Sequence, residues 1–178
     1  MVSGQWSAQT DYRLLITDYL GVQSPACLSR GICAILFTLM STGFPEGIRV
    51  DEHTTVICPR YSETDQAGVI HHSAYPIWFE IGRGELLRAN GLAYRDLEKS
   101  GVYFVMVDLS IKFLRPARYD VPVRLETRWG RVTASRIEHT YRITEESTDK
   151  LLTEGRSVLA CVDEQGKLRR VPPFMRLT

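Results

Sequence analysis

After Gly101 the chain switches to a period of two. Val107, Leu109, Ile111 and Phe113 alternate with Asp108, Ser110 and Lys112, and Val121, Val123, Leu125 and Trp129 alternate with Arg124, Glu126 and Arg128. Ile137, His139, Tyr141 and Ile143 alternate with Arg136, Glu138, Thr140 and Arg142, and a fourth run covers about Leu151 to Val162. Successive strand side chains point to opposite faces, so this alternation predicts four strands with one face covered. The links are short and turn-like: Arg115-Pro116-Ala117-Arg118-Tyr119-Asp120, the region around Trp129-Gly130-Arg131, and Glu145-Glu146-Ser147-Thr148-Asp149. Parallel neighbours need a long crossover, so such links imply antiparallel pairing.

Upstream, Thr54 to Tyr61 is a β-branched run weakened by Pro59, which suits an edge strand or a strand end. Between Ser73 and Asn90 the period is helical, with Ile77, Trp78, Ile81 and Leu87 spaced near three and four and Asn90-Gly91 as a stop. Pro76 fits only the first helical turn, where its missing N–H has no intrahelical partner to lose, so Ser73 is the candidate N-cap. Gly82 and Gly84 each cost about 0.8–1 kcal/mol in a helix interior, a penalty that makes sense where the backbone lies close to a sheet. Ala93 to Lys99 fits a short second helix. The order β-α-β-β-β-β is an α+β architecture, one long helix against a five-stranded antiparallel sheet.

The 178 residues carry a formal net charge of +1 and are 44% hydrophobic, which fits one folded domain and argues against a nucleic-acid surface built on bulk basicity. No apolar run approaches the roughly 20 residues of a membrane span. Cys27, Cys33, Cys58 and Cys161 show no C-x-x-C spacing, and Cys58 and Cys161 fall in strand-like runs as small buried hydrophobes; a cytoplasmic protein with reduced thiols is expected. Residues 1–39 read differently. They contain a seven-residue echo, Thr10-Asp11-Tyr12 and Thr17-Asp18-Tyr19, and match neither a secretory signal nor a transit peptide. They are expected to be a leader or extension outside the fold, with Met40 as the natural start and the domain over 40–178.

The chemistry concentrates between the first strand and the helix, from Tyr61 to Tyr75. A helix N-terminus offers free N–H groups and partial positive charge, a natural seat for a developing oxyanion. Asp65 lies in a loop ending there, and Gly68 permits a tight reversal. A carboxylate so held can attack a carbonyl or activate water while N–H groups near His72 and Ser73 hold the oxygen. The competing reading is that Asp65 only closes a turn.

The pattern Y-x-x-x-D-x-x-G-V-x-x-H-x-x-Y, met by Tyr61, Asp65, Gly68, Val69, His72 and Tyr75, resembles the signature of hotdog-fold thioesterases of the 4-hydroxybenzoyl-CoA thioesterase family, closest to the Tol-Pal-associated YbgC-type branch. Phe79-Glu80, the Arg115–Arg118 turn and Ala160–Asp163 add to the likeness, which covers roughly residues 54–173. It implies a helix wrapped by an antiparallel sheet, hydrolysis of acyl-CoA thioesters, and no metal or redox cofactor. It assigns Asp65 as nucleophile or general base and the His72 backbone N–H as carbonyl polariser. It also implicates the His72 side chain and Tyr61, and it places Ser135 near pantetheine. Gly68, Ser73 and Tyr75 join the substrate-binding set. Subunits of such proteins pair to extend the sheet, so a homodimer or homotetramer with acyl-CoA at the subunit interface is expected. A thioesterase specialised for an aromatic acyl-CoA and a non-catalytic acyl-CoA binder are the alternatives.

Other candidates read as structure. Glu80 stands about 12 Å along the helix from His72, too far to share one carbonyl within the chain. His71 reads as a solvated loop residue, His139 as a satisfied core or interface histidine, and Trp78 and Trp129 as packing. Arg115, Arg118, Arg131, Arg136, Arg169 and Arg170 are available for CoA phosphates.

Overall fold

In the computed structural model, which describes residues 44, 45 and 47–176, the period-two region forms a five-stranded sheet and the helical region lies across it. The leader expected over residues 1–39, its seven-residue echo and Met40 lie outside the described residues. Chain order is β1 (Glu52–Ile57), α1 (Ala74–Ala89), α2 (Tyr94–Lys99), β2 (Tyr103–Phe113), β3 (Val123–Val132), β4 (Arg136–Glu145) and β5 (Leu151–Val162). The sheet runs β1-β3-β4-β5-β2 with every pairing antiparallel. Consecutive strands β1 and β2 therefore hold opposite edges, and the segment between them, with α1, crosses the sheet. This is the α+β arrangement expected from the periodicity.

Two apolar clusters line the helix. Tyr75, Trp78 and Phe79 of its first half pack with Val123, Leu125, Tyr141 and Ile143, and Leu86 and Leu87 of its second half pack with Trp129, Ile137, Val171 and Met175. At Gly82 a Cβ would collide with Thr127 and Leu125 of β3, so the helix backbone does press on the sheet there. Gly84 has no such reason, since a Cβ there would meet only the tip of Arg88 at 3.6 Å. Gly155 on β5, absent from the sequence reading, is bare where the Phe79 ring lies on the sheet, stacked 4.0 Å from Tyr141.

The strands differ from expectation mainly at β2. It starts at Tyr103, and a register shift between Met106 and Asp108 leaves Val107 without a partner on β5. The extra residue breaks the alternation. Phe104, Leu109 and Ile111 pack inward, and Val107 is 50% exposed. At the other edge β1 stops at Ile57, and Tyr61–Glu63 forms a 3-10 turn. Cys161 is buried as expected. Cys58, just past β1, is exposed instead, with its Sγ 3.5 Å from Asp120 Oδ1.

Candidate active site

The loop between the 3-10 turn and α1 is a closed excursion with Asp65 near its apex. Its stems are joined by a bridge between Thr64 and Ile70 and by the His71 N–H donating to the Glu63 carbonyl at 2.7 Å. The Asp65 N–H donates to Val69 O at 2.9 Å and the Gly68 N–H to Asp65 O at 3.0 Å. Gly68 sits at φ +72°, a left-handed conformation that side chains disfavour, so the reversal needs glycine there. The Asp65 side chain also braces the turn, Oδ1 accepting from Ala67 N–H at 2.8 Å and Val69 N–H at 3.4 Å. The turn-closing role is therefore observed for one oxygen, and the described hydrogen bonds to the carboxylate leave Oδ2 unused.

At the end of the loop α1 begins. Ser73 occupies its N-cap position but does not cap it, because its hydroxyl pairs with His71 Nδ1 at 2.7 Å. His71 is thus a half-buried, hydrogen-bonded residue and not the solvated one expected. The His72 N–H has no protein acceptor among the described residues, and Pro76 removes a further donor from the first turn. The His72 ring is exposed and lies 4.0 Å from that of His71.

Asp65, His72 and Tyr75 line one cavity of about 330 Å³, together with Val69, Ile70, Phe113 at the end of β2 and the 114–116 segment that follows it. Tyr75 is 2% exposed, its ring meets Phe113 edge-on at 4.9 Å, and burial raises its phenol above the usual range. Gly68 and Ser73 shape the loop and the helix start without lining the cavity. Tyr61 is 77% exposed and packs edge-on against Tyr119 at 5.6 Å. Ser135 lies apart, in the β3–β4 turn, where its carbonyl accepts from Cys161 N–H at 2.8 Å.

Glu63 was not singled out from sequence. It is buried, and its Oε1 accepts from Arg60 Nη2 at 2.9 Å and from the Trp78 indole N–H at 3.2 Å, while Oε2 accepts from the Arg60 backbone N–H at 2.7 Å. Burial alone would raise its pKa, but the Arg60 and Trp78 donors outweigh it and hold the carboxyl below the usual range. The readable signal was the spacing Arg60-x-x-Glu63, in which the acid reaches back to the first N–H of the turn.

Among the other candidates, Trp129 packs in the core, and Trp78 does so while also donating to Glu63. Glu80 is exposed and borders a separate cavity of about 340 Å³ with Arg83, Tyr94, Glu98 and Phe104. Arg83 is buried and donates to the Tyr141 hydroxyl at 2.9 Å, which pairs with Ser157 at 2.6 Å. His139 is buried but not satisfied: neither ring nitrogen has a hydrogen-bond partner among the described residues. Among the described residues no group of three or more His, Cys, Asp or Glu side chains is placed to hold a metal ion. None of the described helices is long and apolar enough to cross a membrane.

Residues 59–177 match the model of the Thioesterase-like superfamily. The chain is 43% identical over 60 residues to the putative acyl-CoA thioesterase YneP of Bacillus subtilis, a match covering 34% of this chain and 44% of that protein. It is 29% identical over 103 residues to the acyl-CoA thioester hydrolase YbgC of Escherichia coli, covering 58% of this chain and 76% of YbgC. The structure of a DHNA-CoA thioesterase from Staphylococcus aureus superposes with a TM-score of 0.64 at 32% identity, over 67% of this chain and 80% of that one. The helix-and-sheet arrangement is the hotdog fold of these proteins.

Proposed function

The chain belongs to the Thioesterase-like superfamily, and from that premise we propose that it hydrolyses acyl-CoA thioesters to a carboxylic acid and free CoA. The observation that carries this reading is the meeting of Asp65, His72 and Tyr75 at one cavity beside the N-terminus of α1. The acyl-CoA thioesterase names of the relatives support it. The thioester carbonyl lies against the unpaired His72 N–H, whose dipole, with that of the helix, stabilises the oxyanion. Asp65 Oδ2 then takes a proton from the attacking water, or itself attacks to form an acyl anhydride that water opens; in either case the thiolate of CoA leaves. The exposed His72 ring and Tyr61 assist the reaction, and Ser135 contacts the pantetheine arm.

A second reading narrows the acyl group to an aromatic one. Tyr75 and Phe113 form an edge-to-face pair in the cavity wall, a surface that suits a flat ring, and the Staphylococcus aureus relative is a DHNA-CoA thioesterase. We place the protein in the cytoplasm as a homodimer or homotetramer paired through the outer edge of β2.

The test is CoA release by the purified protein across short, medium, long and aromatic acyl-CoAs, with Asp65→Asn alongside. Turnover is expected to fall roughly 10²–10⁴-fold in the variant, the range for a positioned acid–base group. A preference for aromatic acyl groups selects the narrower reading. Tight acyl-CoA binding without turnover by both forms would make the protein a binding module and overturn the enzymatic one.

A further inference from the structure

We propose that Glu63 is a positioning residue, its buried carboxylate locking the Asp65 loop to the first turns of α1. Its kinetic consequences rest on the thioesterase reading, and its structural ones on geometry alone. The loop is well tied to itself. Thr64 bridges Ile70, Asp65 bonds Val69, and the His71 N–H bonds the Glu63 carbonyl. Those bonds fix the loop's shape but not its placement against the helix. The loop meets α1 through the Ala74 N–H donating to the His71 carbonyl at 3.0 Å and through Ile70, which shares an apolar cluster with Tyr75 and Trp78. The side-chain hydrogen bond that ties its first stem to the helix is that of Glu63 to the indole N–H of Trp78, a residue 1% exposed and seated more than one turn into α1.

A carboxylate that only capped the 3-10 turn would have its partners in Arg60 and would not need burial. Glu63 is buried, and its third bond goes to a different element. Burying a charge is costly unless it is fully paired, and the three donors here satisfy it. The same residue's carbonyl holds His71, beside the proposed oxyanion donor His72. Glu63 thus grips both stems of the loop and the helix at once, two residues from Asp65. A misplacement of about 1 Å at a reacting group costs on the order of 10²-fold in rate, so this contact governs turnover without touching substrate.

The test pairs Glu63→Gln with Trp78→Phe. Glutamine sets its NH₂ group against the Arg60 backbone N–H in one orientation, and against Arg60 Nη2 and the indole N–H in the other, so it weakens the tie either way; phenylalanine deletes only the indole N–H and part of the ring. Each variant is expected to lose ~10- to 100-fold in kcat with KM changed less than about threefold, measured per folded molecule. The double variant should lose less than the two single losses combined, because both substitutions act on the same tie. Amide exchange at Asp65 and His71, followed by NMR, should speed up in both. Wild-type kcat per folded molecule in the variants, with exchange at those amides unchanged, would overturn the proposal. If the unsubstituted protein releases no CoA from any acyl-CoA while Glu63→Gln still speeds the exchange, the thioesterase reading fails and the latch stands.

Discussion

His139 faces the core from β4 with 2% of its surface exposed and its ring 5.0 Å from that of Trp129. Burial, with the positive charge of Arg83 nearby, lowers its pKa from 6.5 to about 3. The folded protein therefore leaves this imidazole neutral where the unfolded chain protonates it. Between pH 6.5 and about 3 the unfolded state binds the extra proton, so stability is full above 6.5 and is lost as the pH falls. The ceiling over the whole window is about 5 kcal/mol, at about 1.4 kcal/mol per pH unit. Urea unfolding from pH 7.5 to 4.5 should show this slope, and His139→Phe should flatten it; a flat profile in the unsubstituted protein would contradict the buried neutral ring. Glu63 adds in the same direction only below the ordinary glutamate range, because its folded pKa is lowered. At this scale the sequence placed His139 on the covered face, since period two fixes the face. It did not show that both nitrogens go unpartnered among the described residues, which depends on what the neighbouring strands and the helix bring opposite them.

At the scale of elements, the two helix glycines separate cleanly. Gly82 touches β3 and Gly84 touches nothing that resists a methyl group. Gly82→Ala should destabilise by about 1–3 kcal/mol through overpacking against Thr127 and Leu125. Gly84→Ala should stabilise by about 0.8–1 kcal/mol, the helix propensity difference. Chemical denaturation of the two variants measures both, and equal signs would refute this account of α1. The sequence carried the helix, its proline start and its asparagine stop, because those are local backbone preferences. It could not distinguish Gly82 from Gly84, which stand two residues apart on the same helix. The difference lies in which of them the sheet approaches. The β2 bulge was hidden for a related reason: an extra residue between two apolar runs leaves each run looking regular.

For the whole molecule, the feature that bears on assembly is the edge formed by β2. Among the described strands it pairs with β5 alone, and Val105, Met106 and Val107 are 45%, 40% and 50% exposed along it. An exposed apolar strand edge is a ready template for pairing with another chain. In the proposed homodimer or homotetramer, Val105→Glu with Val107→Glu should shift the molar mass in light scattering toward the monomer. Turnover should fall with it, since β2 also lines the Asp65 cavity through Phe113. An unchanged mass would show that the subunits meet elsewhere.

What the sequence by itself determined is whatever local pattern enforces: strand faces, the helix and its start, the tight reversal at Gly68, and the Tyr61-to-Tyr75 signature that lies within the superfamily match. Tertiary structure alone decided the rest. It set β1 and β2 at opposite edges, gathered Asp65, His72 and Tyr75 with the far end of β2 around one cavity, and left Tyr61 and Ser135 outside it. It also made Glu63 a buried tie to Trp78. These are contacts between residues distant along the chain or on different elements, and short-range periodicity carries no information about which elements meet.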